Sequence, residues 1–265
     1  MNFWQNKVVL VTGASRGIGK ALADRLAEVG ARLVLTGRDE TKLQCLAGRL
    51  SAAGIECVYM AADVRDQTAV EQVVYYGFDQ LGKIDVLVNN AGIGLRGPVE
   101  TLEPAQLLEA VAVNVVGPLH FIQATVPLFR RQGSGLVINI ASLGAIQVAP
   151  NIGGYVATKA ALTKLGETLQ LELQDSGIRV CTAYPGSVRT EFRRHALGDA
   201  YGEKEPRLSR IAPEAVAEQI LRQTAAGRRH IFITPKDRFF AHLAGVAPNW
   251  SEFLVGRAFR RAKGI

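Results

Sequence analysis

Cysteine is scarce in this chain, and the few cysteines do not form a pattern that builds a site. Cys45, Cys57 and Cys181 are far apart and include no pair at CxxC spacing. An odd, scattered set of thiols argues against a disulfide framework and a cysteine-built zinc site, and it suits a reducing cytosol. The four histidines also lack metal-ligand spacing, so the sequence predicts no metal.

Long apolar runs and a leader segment are also missing. No uninterrupted apolar stretch approaches the ~20 residues that a membrane-spanning helix requires. The polar residues 1–7 lead directly into an apolar run, which leaves no room for a signal peptide. We therefore expect a cytoplasmic protein without a transmembrane segment.

Charge of one sign is in excess only near the end of the chain. The 265 residues carry a net charge of +7. From residue 228 onward, eight basic residues stand against Asp237 and Glu252, so the rest of the chain is nearly neutral. A nucleic-acid-binding protein would be expected to spread a basic stripe over its body. The charge distribution therefore argues against a nucleic-acid partner.

Apolar residues make up 48% of the chain, enough to fill the core of one large domain. Short β-branched runs alternate with longer segments in which apolar residues recur every three or four positions. The predicted strands are residues 7–12, 32–36, 57–60, 84–88, 136–140, 179–183 and 230–234, and the predicted helices include 18–29, 67–81, 104–131, 155–175 and 213–226. Strands that are apolar on both faces belong to a parallel sheet covered by helices. The pattern predicts an α/β fold, a single Rossmann-like doubly wound parallel sheet of about seven strands with its ligand at the strands' carboxyl ends.

A glycine-rich turn, TGASRGIG over residues 12–19, joins the first predicted strand to the first helix. Glycines there permit a tight turn, and the amides of the helix N-terminus are unpaired donors for a pyrophosphate. The candidate contacts to a dinucleotide are Gly13, Ser15, Arg16, Gly17, Ile18 and Gly19. The alternative, an ordinary glycine-rich loop, is disfavoured by the strand–turn–helix context.

The end of the second predicted strand indicates which dinucleotide binds. A carboxylate there would hold the ribose 2′-hydroxyl of NAD, whereas a basic residue accommodates the 2′-phosphate of NADP. The chain has Gly37 and then Arg38 at this point, and Arg16 adds a second cation. We therefore predict NADP (as NADPH), with NAD less favoured. If Asp39 rather than Gly37 faced the ribose, the preference would weaken or reverse.

Further motifs follow in order, and each is weak alone. They are Asp63-Val64, Asn89-Asn90-Ala91-Gly92, Asn114, Ser142, Tyr155-x-x-x-Lys159 and the run from Pro185 and Gly186 through Val188 to Thr190. Together with the glycine turn, this series resembles the short-chain dehydrogenase/reductase family from about residue 7 to residue 234.

The resemblance implies an oxidoreductase that interconverts a carbonyl and a secondary alcohol. The implied catalytic set is Asn114, Ser142, Tyr155 and Lys159, in which Asn114 positions a water and Lys159 also holds the nicotinamide ribose. The implied cofactor contacts beyond the turn and Arg38 are Asp63 near adenine, Val64, Asn90, Ala91 and Gly92 against the adenosine, Tyr155, Lys159, Pro185 and Gly186, and Val188 and Thr190 at the nicotinamide carboxamide.

The chemistry of Tyr155 and Lys159 supports these roles independently. At spacing i, i+4 the two side chains share one helix face. A free tyrosine has a pKa near ~10, and a nearby ammonium is expected to lower that pKa toward the working range. Tyr155 would then exchange a proton with the carbonyl or alcohol oxygen, which Ser142 orients. The alternatives are a core tyrosine, a serine that caps a turn and, for Asn114, a buried structural amide.

Other functions remain open beside a carbonyl reductase. A 3-oxoacyl thioester reductase is one, and a non-catalytic NADP-binding regulator or scaffold is another. A non-redox member of the family is disfavoured because neither the glycine turn nor the catalytic set is altered. The charged segment 191–211 does not identify the substrate. The thirty or so residues after 235 resemble the branch that acts on steroid, retinoid or long-chain lipid carbonyls.

We divide the chain into a catalytic domain, residues 1–235, and a helical extension, residues 236–265. On a helical wheel the segment after Trp250 has an apolar arc and an arginine arc, although Trp250 and Phe253 fall on the arginine side. The extension is predicted to touch lipid, a second subunit or the substrate mouth, and the alternative is a helix packed on the body. The long helices 104–131 and 155–175 predict a homodimer or homotetramer, because such helices pair subunits in the family.

Overall fold

The computed structural model describes residues 2–198 and 211–263 of the chain. The described strands are β1 (Val8–Thr12), β2 (Arg32–Gly37), β3 (Cys57–Ala61), β4 (Val86–Asn89), β5 (Leu95–Arg96), β6 (Gly135–Ile140), β7 (Ile178–Tyr184), β8 (Leu197–Gly198) and β9 (His230–Phe232). One sheet of seven strands has the order β3-β2-β1-β4-β6-β7-β9, and all its pairs are parallel. The predicted seven-stranded doubly wound sheet is therefore confirmed. β5 and β8 form a separate parallel pair.

The described helices cover both faces of this sheet. They are α1 (Gly17–Glu28), α2 (Glu40–Ala52), α3 (Gln67–Leu81), α4 (Pro104–Val111), α5 (Gly117–Gln132), α6 (Gly153–Glu172), α7 (Pro213–Ala225), α8 (Pro235–Val246) and α9 (Pro248–Lys263). Shorter 3₁₀ turns lie at Val99–Thr101, Leu143–Ala145 and Glu191–His195. α2 is not among the helices singled out from the sequence, although its buried leucines recur at helical spacing and Asp39 caps its first turn.

The pleat of each strand divides the core into two layers. In β1, Val9 and Val11 pack into a cluster that includes residues of α1, α2 and α7. Val8 and Leu10 point the other way, into a cluster that includes residues of α3 and α5. Because both sets are apolar and fully buried, the strand reads as a continuous hydrophobic run in the sequence.

Most predicted elements differ from the structure by a few residues at their ends, and two of the differences have a visible cause. The helix predicted over residues 104–131 contains a π-helical turn, Ala112–Val116, between α4 and α5. The strand predicted over residues 230–234 ends at Phe232, because Thr234 caps α8 instead. The Thr234 hydroxyl accepts a bond from the Asp237 amide at 3.0 Å, and the Asp237 carboxylate accepts one from the Thr234 amide at 3.0 Å.

The helical stretch Pro104–Gln132 is long and apolar enough, by length and composition, to cross a membrane. In this fold α5 packs against α3, β4 and β6, and Phe121 and Phe129 on it are buried. It is therefore a core helix of the domain.

The chain ends in a pair of helices, α8 and α9, which we call the C-terminal helix pair. α9 packs against α8, and α8 contacts β9. Ala241 and Ser251 are buried, whereas Phe239 and Trp250 are 64% exposed. The structure begins this extension at Pro235, and its separation from the catalytic domain remains a prediction.

Candidate active site

The glycine turn between β1 and α1 is closed so tightly that side chains would not fit. Gly13 and Gly17 have φ of +64° and +57°, in the left-handed region that favours glycine. A Cβ on Gly19 would lie 2.3 Å from the Gly13 carbonyl oxygen and 2.4 Å from Nδ2 of Asn90. A Cβ on Gly13 would lie 2.9 Å from Cα of Ala91. The turn therefore packs directly against the segment that follows β4.

The N-terminus of α1 is open to an anion. Its N-cap, Arg16, makes no side-chain capping bond to the described residues, and the first turn has no acidic residue. The first amides of the helix are thus donors with the favourable end of the helix dipole behind them. The predicted turn residues, including Ser15 and Ile18, all belong to this cradle, whose shape and donors fit the pyrophosphate of a dinucleotide.

Thr12, which the sequence analysis did not single out, joins the glycine turn to the residues after β4. Its hydroxyl accepts bonds from the amides of Asn90 and Ala91, both at 2.9 Å, and donates to the Val88 carbonyl at 3.2 Å. The Asn90 side chain donates in return to the carbonyls of Thr12 and Gly13, at 2.8 and 3.2 Å. The position of Thr12, directly before the first glycine of the turn, was the sequence signal that could have identified this role.

At the end of β2 the structure separates the two charged candidates. The Asp39 carboxylate caps α2, where it accepts from the Lys42 amide at 3.1 Å and pairs with the Lys42 ammonium at 3.1 Å. The Lys42 amide is the main reason that the pKa of Asp39 is lowered, with Arg16 adding to the effect. Arg38 is exposed, and Gly37 is buried within van der Waals reach of Ser15.

Asp63 and Val64 have neighbours that the sequence did not indicate. Asp63 is paired with Arg65, with Oδ2 and Nη2 2.6 Å apart, and this bond is the main cause of its lowered pKa. The field of Arg38 lowers that pKa further, so Arg38 lies on this side of the site. The Val64 side chain packs on Gly117 at the start of α5, in the core. The contacts of Asp63 and Val64 with a cofactor remain predictions.

Ser142, Tyr155 and Lys159 come together at the carboxyl end of β6. The Ser142 hydroxyl caps the turn Leu143–Ala145 by accepting from the Gly144 amide at 3.1 Å, and it also hydrogen-bonds the Tyr155 phenol. The Lys159 ammonium donates to the carbonyl of Ile140 at 2.9 Å and lies 6.0 Å from the centre of the Tyr155 ring. The same ammonium lies 3.3 Å from the position that a Cβ on Gly92 would occupy.

The pKa of Tyr155 is shifted in the direction opposite to our expectation. Burial raises the pKa of Tyr155 to about 12, and the bond from Ser142 only partly offsets that rise. Burial likewise lowers the pKa of Lys159 to about 8. The expectation that the ammonium lowers the phenol's pKa is therefore wrong for this structure, because burial sets the direction of the shift and only the Ser142 hydroxyl acts against it. At neutral pH the site holds a protonated phenol beside an ammonium.

Asn114 lies in the π-helical turn and is fully buried. Its amide accepts from the Ile93 amide at 2.8 Å and donates to the Ile93 carbonyl at 2.9 Å and to the Thr158 hydroxyl at 3.0 Å. Thr158 in turn donates to the Tyr155 carbonyl at 2.8 Å. The Asn114 side chain therefore holds α6 in place, as expected for a buried structural amide. The further role implied for Asn114, the positioning of a water molecule, remains a prediction.

The segment after β7 runs over the same edge of the sheet. The Pro185 carbonyl accepts from the Leu143 amide at 2.9 Å, which joins this segment to the Ser142 turn. Thr190 lies over the glycine turn, with its Cγ2 3.3 Å from the position of a Cβ on Gly17. Val188 forms a bridge with Ile211, and Gly186 lies beside Asp237 of α8.

Phe192 is a further residue that sequence reasoning missed. Its ring meets the Tyr155 ring edge-on, with the centroids 5.8 Å apart. A Cβ on Gly94 would lie 3.3 Å from the Phe192 ring, so the glycine leaves the space that Phe192 occupies. Residues 199–210, part of the charged segment 191–211 that did not identify the substrate, lie outside the described residues.

Comparison with known proteins agrees with this geometry. A family model described as short chain dehydrogenase matches residues 7–199. An uncharacterised oxidoreductase of Staphylococcus epidermidis is 32% identical over 231 residues, which cover 87% of this chain and 98% of that protein. A short-chain dehydrogenase/reductase from Burkholderia phymatum, solved with NAD, has a TM-score of 0.85 at 26% identity and covers 94% of this chain and 96% of its own. An alcohol dehydrogenase from Thermococcus sibiricus, solved with 5-hydroxy-NADP, has a TM-score of 0.76 at 31% identity, with coverages of 86% and 96%.

The chain belongs to the short-chain dehydrogenase/reductase family. It is a nicotinamide-nucleotide-dependent oxidoreductase that acts on alcohol or carbonyl groups. Because one solved relative holds NAD and another an NADP derivative, the choice between these cofactors has to be argued from this chain's own residues.

Proposed function

We propose that this protein is an NADPH-dependent reductase of apolar ketones or aldehydes, with Tyr155 as the proton donor. The observation that carries the proposal is the group formed by Ser142, Tyr155 and Lys159 at the end of β6. A phenol with a pKa of about 12 remains protonated throughout the physiological range, which is the state required for carbonyl reduction.

The residues divide the work as follows. The bound nicotinamide supplies the hydride. With substrate bound, the hydroxyls of Ser142 and Tyr155 both donate to the carbonyl oxygen, which gains negative charge during reduction. The Tyr155 proton passes to that oxygen, and the nearby Lys159 ammonium stabilises the phenolate that is left. Asn114 and Thr158 hold the Tyr155 helix against the segment after β4.

Replacement of Tyr155 by Phe tests this assignment. The change removes one hydroxyl and retains the ring, so turnover should fall ~10²–10⁴-fold while NADPH affinity stays within about threefold. NADPH oxidation would be followed over a panel of aliphatic ketones, aldehydes, steroid ketones and 3-oxoacyl thioesters, and NADPH binding by fluorescence.

Tyr184→Phe is the matched control. Burial also raises the pKa of Tyr184 to about 12, and its hydroxyl bonds Nδ1 of His230 at 3.1 Å. This variant should keep its turnover. A Tyr155→Phe enzyme within threefold of the parent would remove the assignment, and a parent that binds NADPH but turns over no carbonyl would favour a non-catalytic regulator.

The preference for an apolar substrate is argued from the surroundings of Tyr155. Phe192 lies against the phenol, and on the loop that follows Ser142 the side chain of Val148 is 53% exposed. A preference for the steroid and long-chain ketones of the panel is expected. Activity confined to 3-oxoacyl thioesters would instead favour the alternative reductase.

NADP as the cofactor is supported by the end of β2. Because the Asp39 carboxylate is bound to α2, the carboxylate that would have favoured NAD is directed at its own helix. Arg38 is exposed and Arg16 is the N-cap of α1, so both cations flank the position expected for the adenosine ribose. Arginine can bind a 2′-phosphate through two parallel N–H bonds.

Arg38→Leu should therefore weaken NADPH binding selectively. A hydrogen bond to a charged group contributes ~1.5–3 kcal/mol, or about one to two decades in dissociation constant, and only NADPH carries the phosphate. Titration of both nucleotides by calorimetry checks this, with NADH as the internal control. Equal losses for NADH and NADPH, or a parent protein that prefers NADH, would contradict it.

A further inference from the structure

The C-terminal helix pair sits at the rim of the catalytic cleft. The Gln147 side chain, on the loop after Ser142, donates to the carbonyl of Phe240 in α8 at 3.3 Å. Asp237 of α8 lies 3.5 Å from the position that a Cβ on Gly186 would take. α8 is thus attached to two of the loops that surround the site, and α9 packs on α8.

The outer faces of both helices carry large apolar side chains in contact with solvent. On α8 these are Phe239, 64% exposed, and Val246, 87% exposed, seven residues apart and therefore on the same face. On α9 they are Trp250, 64% exposed, and Phe253, 55% exposed. An accumulation of exposed apolar side chains of this size is typical of an interaction surface.

The basic residues of α9 share the face of these aromatics. Trp250 and Phe253 are followed at helical spacing by the exposed Arg257 and Arg260, at i+3, i+7 and i+10. On the helical wheel this arrangement is an imperfect separation of apolar and basic arcs. The structure explains it, because Ser251, Leu254 and Val255 face inward, so the outer face is aromatic and cationic together. Phe259, which falls on the apolar arc of the helical wheel, lies outside the residues whose side chains are described.

Charge decides which partner fits this face. The chain from residue 228 onward carries eight basic and two acidic residues, and the rest is nearly neutral, with 23 basic and 22 acidic. One of the two acids, Asp237, is engaged in the α8 capping box. A second copy docked by two-fold symmetry would place the same basic surface against itself, which is unfavourable.

We propose that the C-terminal helix pair docks on a bilayer containing anionic phospholipid. Phe239, Val246, Trp250 and Phe253 enter the boundary between headgroups and acyl chains, and Arg257 and Arg260 reach the phosphates. Trp and Arg side by side match that boundary, because the indole prefers the headgroup level and the guanidinium binds phosphate in two parallel bonds. The proposal does not depend on the reductase activity.

Vesicle binding by the full chain tests the proposal, with phosphatidylcholine vesicles compared with phosphatidylcholine–phosphatidylserine vesicles at low and high salt. We expect co-sedimentation with the anionic vesicles only, and its loss at high salt, where screening extends over ~3 Å at 1 M rather than ~10 Å at 0.1 M. The two tryptophans give an independent signal. Trp4 is 3% exposed, so a blue shift of emission on binding reports on Trp250.

Matched variants separate the surface from general charge effects. Arg257→Gln/Arg260→Gln should weaken binding to anionic vesicles roughly thirtyfold, from ~1 kcal/mol per basic residue near the membrane. Arg130→Gln/Arg131→Gln, which removes two exposed charges from the end of α5, should change it less than threefold. Trp250→Gln/Phe253→Gln should abolish binding, whereas Tyr75→Gln, at an aromatic that is 73% exposed on α3, should not.

Three results would overturn the proposal. They are equal binding to neutral and anionic vesicles, equal losses in the two arginine pairs, and a Trp250 that is shielded in a dimer without lipid, seen as a blue shift that depends on protein concentration. NADPH oxidation with a water-soluble ketone should be the same in all these variants, which separates a failure of docking from a failure of the proposed activity.

Discussion

Tyr155 and Lys159 are displaced from their ordinary pKa values by the same cause. Burial disfavours the charged form of each side chain, which raises the pKa of the phenol to about 12 and lowers that of the ammonium to about 8. Below pH 8 the Tyr155 phenol is therefore neutral and the Lys159 side chain is charged, which is the protonation state required for carbonyl reduction. We therefore expect Lys159 to be the group that limits activity at alkaline pH.

Carbonyl reduction should decline as the pH rises through about 8. Below that value Lys159 is charged and can stabilise the phenolate, and above it the ammonium loses its proton while Tyr155 retains its own. The pH profile of kcat/KM for ketone reduction, at saturating NADPH, measures this. In Lys159→Arg, whose guanidinium stays charged, any remaining activity should show no inflection near pH 8. A parent profile that is flat to pH 9.5 would contradict the role of Lys159.

Residue identity was easier to predict than residue environment. The i, i+4 spacing places Tyr155 and Lys159 on one face of α6, and the fold brings Ser142 to them from the end of β6. The direction of the Tyr155 pKa shift was predicted wrongly, because it depends on how much protein surrounds the phenol. The Asp39 cap was missed because it depends on α2, which was not predicted. The contact between Phe192 and Tyr155 was missed because it joins two separate parts of the chain.

At the scale of the element, β1 and β2 present two threonines side by side with opposite surroundings. Thr12 and Thr36 are partners in the register of the strands, and both are 1% exposed. The Thr12 hydroxyl holds the amides of Asn90 and Ala91, whereas the Thr36 hydroxyl has no hydrogen-bond partner among the described residues. A comparison of substitutions at Thr12 and Thr36 therefore measures how much the Thr12 hydroxyl contributes to holding the glycine turn against the segment after β4.

Thr12→Val should lower the free energy of unfolding by about 0.5–1.5 kcal/mol, because it leaves the half-buried Ala91 amide without its acceptor. NADPH affinity should fall with it, since the segment after β4 is no longer held to the glycine turn. Thr36→Val replaces an unpaired hydroxyl by a methyl group and should be neutral or stabilising. Urea unfolding of both variants measures the difference, and equal destabilisation would show that the Thr12 bonds contribute nothing particular.

Apart from α2, elements with a strong periodic signal were predicted, and those built by distant contacts were not. The strands of the sheet are runs of apolar residues. The glycine turn before α1 and the capping Asp66 before α3 can likewise be recognised from the sequence alone. The pair β5 and β8 consists of two residues from each of two loops about a hundred positions apart, which leaves no local pattern. The π-helical turn is likewise set by the bonds of Asn114 to Ile93 and Thr158.

On the scale of the whole molecule, the subunit pairing inferred from the sequence remains a proposal. Leu108 on α4 and Leu165 and Leu171 on α6 are exposed, by 69%, 39% and 65%. These side chains lie on the two long helical stretches that the sequence analysis named, so the faces that would pair are present in the protomer.

The first helix of the chain is packed against a helix that comes almost two hundred residues later. α1 packs against α7, and the indole of Trp4 donates to the Leu221 carbonyl at 3.3 Å, across 217 positions of sequence. During synthesis, at ~5–20 residues per second, α1 therefore waits roughly 10–40 s on the ribosome before its partner emerges. We therefore expect a nascent chain in that interval to expose apolar surface of α1 and to need a chaperone. In cell-free synthesis, a chain stopped before residue 212 should sediment with aggregates unless a chaperone is added, whereas one stopped after residue 234 should stay soluble. Equal solubility of the two chains would contradict this expectation, because it would show that the shorter chain does not need α7 to avoid aggregation.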